Sequence, residues 1–360
     1  MNKTSLLILL VASLFFGCEA KNKKQYANNV STVESILEEN ASALLKDKRF
    51  HSLSVGIYKD GKTITKHFGE LEIGKGNLPN DTTIYEIASV TKTFLGTLTA
   101  KAVLEQKINL NDDIRSYLEQ PYPNLEFNGK AITIQDVLTH TSGFPNFPIK
   151  GDTKQNFFEG LKEIKIEDEI GTVYAYSNTA PEVMAFILEK VYGKPYEMLV
   201  KEYIVAPNEM KRTKFDLSEF EKKSLVQGYN GENELMPNFE RNLWGGTVGL
   251  HSTMADMLKY IAYHLEDANE IIKESHKDFL ETPYDFNIGY YWNIIKTKDE
   301  VVYRHHGGIF GMQNWLMIYP KQNMGISIFT NCSFDETGEL LEEVATNICA
   351  EVAKIDLSDK

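Results

Sequence analysis

The sequence is most informative at Glu86-Ile87-Ala88-Ser89-Val90-Thr91-Lys92-Thr93-Phe94, which contains the only Ser-x-x-Lys of the chain. The apolar positions from Thr91 to Leu104 follow helical spacing, which places Ser89 at or just before the first helical turn and Lys92 one turn further on the same side. At this spacing the lysine amine reaches the serine hydroxyl, which is a poor nucleophile without an adjacent base. The stretch therefore predicts a nucleophilic serine assisted by a lysine.

Lys92 can act as a base only if its pKa falls from about 10.4 towards about 7 to 8. Burial and the positive end of the helix both lower the pKa of a lysine, and the same helix end favours an oxyanion beside the serine. Taken alone, a Ser-x-x-Lys is more often a serine at a helix N-cap followed by a solvated lysine. The catalytic interpretation therefore depends on the other motifs of the chain.

Several further segments follow one another in the order of a known enzyme superfamily. They are Leu110-Asn111-Asp112-Asp113, Leu138 to Pro145, Tyr176-Ser177-Asn178-Thr179, Gly249 to Met257 and His305-His306-Gly307-Gly308. With the Ser89 stretch they resemble the serine β-lactamase and penicillin-binding-protein superfamily. The closest likeness is to its class C-like branch of esterases, D-aminopeptidases and D-Ala-D-Ala carboxypeptidases. The resemblance runs from about Val55 to Thr330.

The resemblance implies a role for each residue that carries these motifs. Ser89 would attack the substrate to form an acyl-enzyme, while Lys92 and Tyr176 would move protons. Asn178 would bind the substrate amide and Lys92, and the backbone amides of Ser89 and Gly308 would form the oxyanion hole. Tyr-x-Asn occurs at four places in the chain, but only the one that begins at Tyr176 lies at the family's distance after Ser89.

The motif that begins at His305 departs from the family's pattern. Penicillin-binding enzymes usually carry Lys-Thr-Gly or Lys-Ser-Gly on the strand that lines the site, and the counterpart here is His305-His306-Gly307, whose glycine would let a substrate approach the strand. Histidine is mostly neutral near pH 7 and would hold a substrate carboxylate less firmly than lysine. An ester or an uncharged amide is therefore the expected substrate. Two alternatives stay open: Arg304 could restore a cation, and a shifted register would place His306 rather than His305 in the site.

Other residues with chemical potential favour simpler interpretations. Thr133 predicts the cap of a short helix that ends near Thr139, which leaves His140 in the following turn rather than as a base. Asn146 and Phe147 fall where class C-like enzymes present a substrate-binding polar residue, which gives a hypothesis for these two positions. The sequence has no His-Glu-x-x-His or His-x-His motif, so neither a metal nor another cofactor is implied.

The N-terminal segment predicts export. Lys3 precedes a mostly apolar run from Leu6 to Phe16, which is followed by Gly17 and Cys18, as is typical of a secretory signal. The run is too short for a membrane-spanning helix, which needs about 20 residues. Phe15 to Cys18 resembles the lipobox of bacterial lipoproteins, which implies a lipid anchor at Cys18 and a place in the periplasm or at the outer membrane of a bacterium. A plain cleaved signal is the alternative.

The remaining chain predicts an α+β fold. A hairpin around Asp60-Gly61 and four strands between Tyr290 and Thr330 stand on either side of a mostly helical middle. Helices that begin at a capping box at Ser31 and near Glu336 flank these strands. One antiparallel sheet built from both ends of the chain, flanked by helices and interrupted by a helical lobe, is therefore expected. The predicted division is a signal peptide at 1–17, a lipidated tether at 18–30 and one serine-hydrolase domain at 31–355, with an α/β lobe (31–88 and 279–355) and a helical lobe (89–278).

Composition narrows the possible functions. With 38 Lys and Arg against 51 Asp and Glu, the net charge of -13 argues against binding to nucleic acid. Three cysteines cannot build a disulfide framework, and Cys332 and Cys349 are expected to remain free. The expected partner is a small ester, amide or peptide. The alternatives are a D-amino-acid peptidase, carboxypeptidase or β-lactamase, and a silent binding lipoprotein, which would have no reason to keep the Ser89 and Tyr176 motifs intact.

Overall fold

The computed structural model of the protein describes Gln25 and residues 28–358. The predicted signal peptide and Cys18 lie outside the described residues. Within the described part of the chain, no helix has both the length and the apolar character needed to cross a membrane. The α-helices, in chain order, are α1 (28–44), α2 (Thr91–Leu104), α3 (Ile134–Leu138), α4 (Lys154–Leu161), α5 (Thr179–Tyr192), α6 (Tyr196–Val200), α7 (Met254–His264), α8 (Glu270–Ser275) and α9 (Thr337–Val352).

Most strands gather in one sheet, and the others form short pairs. The strands are β1 (Ser52–Lys59), β2 (Lys62–Gly69), β3 (Tyr85–Glu86), β4 (Glu126–Phe127), β5 (Lys130–Ala131), β6 (Gly228–Asn230), β7 (Leu235–Met236), β8 (His251–Ser252), β9 (Leu280–Glu281), β10 (Asn287–Gly289), β11 (Trp292–Lys296), β12 (Val301–Ile309), β13 (Met312–Tyr319), β14 (Met324–Thr330) and β15 (Cys332–Ser333). Short 3-10 helices cover Ala88–Val90, Ile114–Tyr117, Glu221–Ser224 and Pro320–Gln322, and a π-helical turn covers Lys201–Val205.

The main sheet confirms the predicted fold class. Its eight described strands run in the order β2-β1-β14-β13-β12-β11-β10-β9, with antiparallel neighbours throughout. The pairing of β1 with β14 joins the two ends of the chain, for example at Ile57 opposite Ile326. The β1–β2 hairpin turns at Asp60-Gly61, as the sequence predicts, and both residues have positive φ.

The two faces of the sheet carry different layers of helices. Strand side chains alternate between faces, so Val55 and Ile57 pack in one cluster with Leu37 of α1 and Leu341 of α9. The other face receives α7, which approaches β1 closely at Gly56, where a Cβ atom would stand 2.4 Å from the Sδ of Met254. A larger cluster on that side joins the sheet to α2, α5 and α7. The residues that carry the chemical motifs lie on this second side.

Two local predictions were wrong. Ser31 lies inside α1, which already includes residue 28, and therefore does not cap its start. The strand predicted to begin at Tyr290 begins at Trp292, because Tyr290 and Tyr291 form a turn with φ of 47° and 67°. Both tyrosines are fully buried. In the sequence, these two buried aromatic residues look the same as the start of a buried strand. Only their left-handed backbone shows that they form a turn instead.

Cys332 and Cys349 are free and buried, as the sequence predicts.

Candidate active site

Ser89 sits in a strained turn just before α2. It belongs to the 3-10 turn Ala88–Val90, in which Ala88 has a positive φ of 47°. Non-glycine residues rarely adopt this conformation, and it is found preferentially at functional sites. The turn is held from two sides: the Ile87 amide donates to the Leu250 carbonyl at 3.1 Å, and Asn314 Nδ2 donates to the Ile87 carbonyl at 3.2 Å.

Lys92 is fully buried in the first turn of α2 and directs its amine at Ser89. Its Nζ lies 2.9 Å from Ser89 Oγ, 2.8 Å from Asn178 Oδ1 and 3.1 Å from the Thr247 carbonyl oxygen. Burial lowers the pKa of Lys92 to about 7, although the nearby carboxylate of Glu182 acts in the opposite direction. A substantial share of Lys92 is therefore neutral near pH 7, which is the condition that a lysine base requires.

Tyr176 approaches the same serine oxygen from the loop before α5. Its hydroxyl donates to Ser89 Oγ at 2.9 Å, and Lys92 Nζ lies 4.9 Å from the centre of its ring. Burial raises the pKa of Tyr176 to about 12, so the phenol keeps its proton near neutral pH. Ser89 Oγ is thus placed between one group that can accept a proton and one that can donate a proton.

Asn178 connects Lys92 to the wall of the site. While its Oδ1 accepts from Lys92, its Nδ2 donates to Asn146 Oδ1 at 2.9 Å, and its backbone amide donates to the Asn146 carbonyl at 2.6 Å. Asn146 therefore fixes the orientation of Asn178. Phe147 follows directly, with 70% of its surface exposed, and lines the cavity in front of Ser89.

His140 occupies a structural position beside Tyr176. It follows α3, whose capping box at Thr133 agrees with the sequence prediction. Its Nδ1 accepts a hydrogen bond from the Ser177 amide at 3.1 Å, and its ring packs 4.7 Å from that of Tyr176. Burial holds the pKa of His140 well below its usual value, so the ring is neutral. His140 supports the tyrosine loop and makes no hydrogen bond to Ser89.

The two histidines of the His305-His306-Gly307 motif point to opposite faces of the sheet from strand β12. His305 is buried on the side of Ser89, close enough to Lys92 for the two to interact electrostatically, and burial lowers the pKa of its ring to about 3. His306 points to the other face, where its Nε2 donates to Gln313 Oε1 at 2.9 Å and its ring packs on Trp315. The prediction that His306 contacts the substrate does not fit this placement, because the sheet separates its ring from Ser89.

The glycines of β12 bring the strand close to the nucleophile. A Cβ atom at Gly307 would stand 2.4 Å from the Ile87 carbonyl oxygen, so this position accepts no side chain while the Ser89 turn keeps its place. Gly308 and Ser89 line the same cavity, as the predicted oxyanion hole requires. Arg304 does not reach this cavity, because its guanidinium pairs with Glu342 of α9.

The cavity in front of Ser89 has a volume of about 610 Å³. Of the described residues that line it, only Arg241 is cationic, and its guanidinium is paired with Glu197 at 2.9 Å and Asp216 at 2.7 Å. Glu182 and Glu240 contribute acidic groups. Most of the wall is apolar: Phe147, Pro148, Met236, Phe239, Leu243, Val248, Ile309 and Phe310.

Two buried carboxylates at the site were not predicted from the sequence. Glu86, three residues before the nucleophile, accepts the Phe239 amide at 2.7 Å, and Glu182 accepts three amides between Trp244 and Thr247. Both acids therefore hold the 238–247 segment that walls the cavity. Glu182 lies in no motif, and Glu86, although it begins the Ser89 stretch, has no spacing to another residue that would indicate a role. Only an acid at a position of apolar helical phase, as at Glu182 among Ala180, Val183 and Met184 of α5, could have drawn attention to one of them.

Comparisons with known proteins show which sequences and structures this chain is similar to. Residues 37–347 match the family model described as Beta-lactamase. Protein flp of Staphylococcus aureus (strain MW2) is 27% identical over 314 residues, which are 82% of this chain and 62% of that protein. A Beta-lactamase of Providencia stuartii is 25% identical over 229 residues, 62% of this chain and 58% of the relative. The chain thus spans less than two thirds of the length of these relatives.

Solved structures share the fold. The β-lactamase/D-alanine carboxypeptidase from Yersinia pestis complexed with citrate aligns with a TM-score of 0.80 at 20% identity, covering 89% of this chain and 98% of that one. The octameric penicillin-binding protein homologue from Pyrococcus abyssi aligns with a TM-score of 0.76 at 24% identity, covering 89% and 76%. At these identities the likeness establishes the architecture, and the chemistry must be argued from the residues around Ser89.

Proposed function

Since the chain belongs to the Beta-lactamase family, we propose that it is a serine hydrolase that cleaves esters or amides without a carboxylate through an acyl-enzyme. The observation that carries the proposal is the convergence of Lys92 Nζ and Tyr176 Oη on Ser89 Oγ, each at 2.9 Å. A neutral amine and a protonated phenol on one hydroxyl are the groups that nucleophilic attack and leaving-group departure need.

The proposed acylation balances its protons within this group of side chains. The lone pair of neutral Lys92 takes the hydroxyl proton as Ser89 Oγ bonds to the carbonyl carbon and the carbonyl electrons move to oxygen. The backbone amides of Ser89 and Gly308 stabilise that oxyanion. As the bond to the leaving group breaks, Tyr176 gives its proton to the departing oxygen or nitrogen and recovers one from the Lys92 ammonium. Water then attacks the acyl carbon and gives a proton to neutral Lys92, and the resulting ammonium returns that proton to Ser89 Oγ as the bond between this oxygen and the acyl carbon breaks.

The preference for uncharged substrates follows from the groups around the cavity. His305 is neutral, Arg304 is held on the other face of the sheet, and Arg241 is already paired with two acids. A substrate carboxylate would therefore find no available cation among the described residues of the wall, while it would approach the acidic side chains there. Leaving a carboxylate without a partner in a partly desolvated cavity costs free energy, so β-lactams and D-Ala-D-Ala peptides are disfavoured.

The apolar wall of the cavity indicates that the substrate carries an apolar group rather than a carboxylate. Phe147 and Phe310 stand 70% and 51% exposed at the mouth of the cavity. Exposed aromatic side chains beside a concave apolar surface are typical of a ligand site. An apolar group on the substrate would cover them and exclude water, which supports an ester or amide with an aliphatic or aromatic substituent.

A three-substrate comparison tests this proposal. We expect the purified protein to hydrolyse a neutral chromogenic ester with a kcat/KM at least tenfold above that for a chromogenic cephalosporin or a D-alanyl-D-alanine peptide. Turnover of the peptide or the cephalosporin above that of the ester would contradict the substrate class and favour a peptidoglycan peptidase or a β-lactamase. Binding of the peptide without turnover of any of the three would favour a silent binding lipoprotein.

The place of action is also part of the proposal. The sequence before residue 28 supports export and a lipid anchor at Cys18, which would put the enzyme in the cell envelope. Fractionation of cells that produce the Cys18→Ser variant checks this: the anchored protein should move from the membrane fraction to the soluble fraction, and unchanged membrane association would contradict the anchor.

A further inference from the structure

Glu182 is a buried acid that the proposed chemistry does not use. It lies in the first turn of α5 with 4% of its surface exposed. Its Oε2 accepts the backbone amides of Trp244 at 2.9 Å and Gly245 at 3.0 Å, and its Oε1 accepts the amide of Thr247 at 2.8 Å. A single carboxylate thus accepts three backbone amides of the 244–247 segment, in which Gly245 and Thr247 line the cavity. A charged acceptor forms stronger hydrogen bonds than a neutral one.

The segment that Glu182 fixes leads directly to the base. The Thr247 carbonyl accepts from Lys92 Nζ at 3.1 Å, and Thr247 Oγ1 donates to the Asn178 carbonyl at 2.5 Å. The backbone of Gly246 already lies against α5: a Cβ atom at this position would stand 2.2 Å from the Pro181 carbonyl oxygen. The segment therefore has no room to move closer to α5. The position of the Thr247 carbonyl is therefore set by the carboxylate, and the Lys92 amine is aimed at Ser89 in part by that carbonyl.

We propose that Glu182 is a positioning residue of this active site: its carboxylate holds the 244–247 segment so that the Thr247 carbonyl orients the Lys92 amine towards Ser89. The inference rests on the proposed function, because it takes Lys92 as the base. It assigns a role to a side chain that touches neither Ser89 nor the reacting carbonyl.

Two opposing effects act on the protonation of Glu182. Burial raises the pKa of the Glu182 carboxyl, and the hydrogen bonds that both of its oxygens accept from backbone N–H groups act against this shift by favouring the ionised form. Near Lys92, the rings of His140 and His305 are neutral, whereas the carboxylate of Glu182 acts on Lys92 in the direction that raises the pKa of its amine. The titratable side chains that face Lys92 or Glu182 are Tyr176, Tyr196, Tyr291, His140 and His305.

The sign of the effect on the reaction can be stated in advance. A nearby negative charge favours the protonated form of Lys92, and removing that charge lowers the pKa of the amine. The base would then remain neutral at lower pH. The acidic limb of a kcat/KM profile, which reports the base in the free enzyme, would accordingly move to lower pH in a variant without the charge.

Two substitutions separate charge from position. Glu182→Gln keeps the length of the side chain but loses the charge and one acceptor oxygen; we expect the acidic limb to move to lower pH and kcat at pH 9 to fall by about tenfold or more. Glu182→Asp keeps the charge but shortens the reach, so kcat should fall while the acidic limb stays at its wild-type pH. Glu189→Gln, two turns further along α5 and half-buried, is the matched control and should change neither quantity.

The outcomes distinguish this inference from the proposed function. An unshifted acidic limb in Glu182→Gln, or a wild-type kcat in Glu182→Asp, would overturn the role of Glu182 while leaving the serine mechanism intact. If Glu182→Gln does not fold, as judged by its melting temperature, the Glu182→Asp profile alone decides. A wild-type enzyme with no acidic limb near pH 7 would instead contradict the assignment of Lys92 as the base, and with it the proposed function.

Discussion

At the scale of single residues, the site depends on features that a sequence motif does not encode. The spacing of Ser89 and Lys92 could be interpreted from the sequence, as could the need for a lowered lysine pKa. The positive φ of Ala88 could not, since alanine has no preference for a left-handed backbone. The contact of Thr247 with Lys92 was equally hidden, because it joins residues far apart in the chain through a carbonyl whose position depends on Glu182.

The pH dependence of the reaction follows from Lys92. Because burial lowers the pKa of this amine to about 7, kcat/KM for a neutral ester should rise about tenfold per pH unit below that value and level off above it. The phenol of Tyr176, with a pKa of about 12, should not produce a second limb below pH 10. A profile measured from pH 5 to 10 checks this. A flat profile across pH 6 to 8 would mean that another group accepts the serine proton.

At the scale of elements, the proposed preference for uncharged substrates depends on strand β12. The sequence predicts the strand, and the alternation of side chains then requires His305 and His306 to face opposite sides. The register that places His305 towards Ser89 is the one favoured by the sequence. The ion pair of Arg304 with Glu342 could not be predicted, because Glu342 lies on α9 and comes close to Arg304 only when that helix packs against the sheet.

A lysine at position 305 should change the substrate preference. His305→Lys adds a basic side chain to β12 on the side of Ser89, whereas the described wall of the cavity offers no unpaired cation. A charged hydrogen bond to a substrate carboxylate contributes about 1.5 to 3 kcal/mol. The ratio of kcat/KM for a carboxylate-bearing cephalosporin to that for a neutral ester should therefore rise about 10- to 100-fold. His305→Gln is the matched neutral control and should leave the ratio near its wild-type value. An equal ratio in both variants would show that a charge on β12 does not govern the preference between carboxylate-bearing and neutral substrates.

At the scale of the whole molecule, the sheet is assembled from both ends of the chain, and this explains how the site is built. β1 and β14 pair across nearly 270 residues of sequence, and the sheet that they complete, which includes β12, carries α2 and α5 on one face. Hydrophobic alternation and the Asp60-Gly61 turn were sufficient to predict this architecture. The short strands β9 and β10 and the buried Tyr290-Tyr291 turn were not predictable, because their conformations depend on tertiary contacts, such as that of the Tyr290 carbonyl with Gly96 of α2.

If Ser89 carries an acyl group during turnover, intact-protein mass spectrometry after reaction with a fluorophosphonate probe should detect a modified serine. The wild-type protein should gain the mass of one probe, with the adduct mapped to the peptide that contains Ser89. The Ser89→Ala variant should gain no mass and should retain the wild-type melting temperature. A modified Ser89→Ala protein, or a wild-type adduct on another residue, would contradict the account.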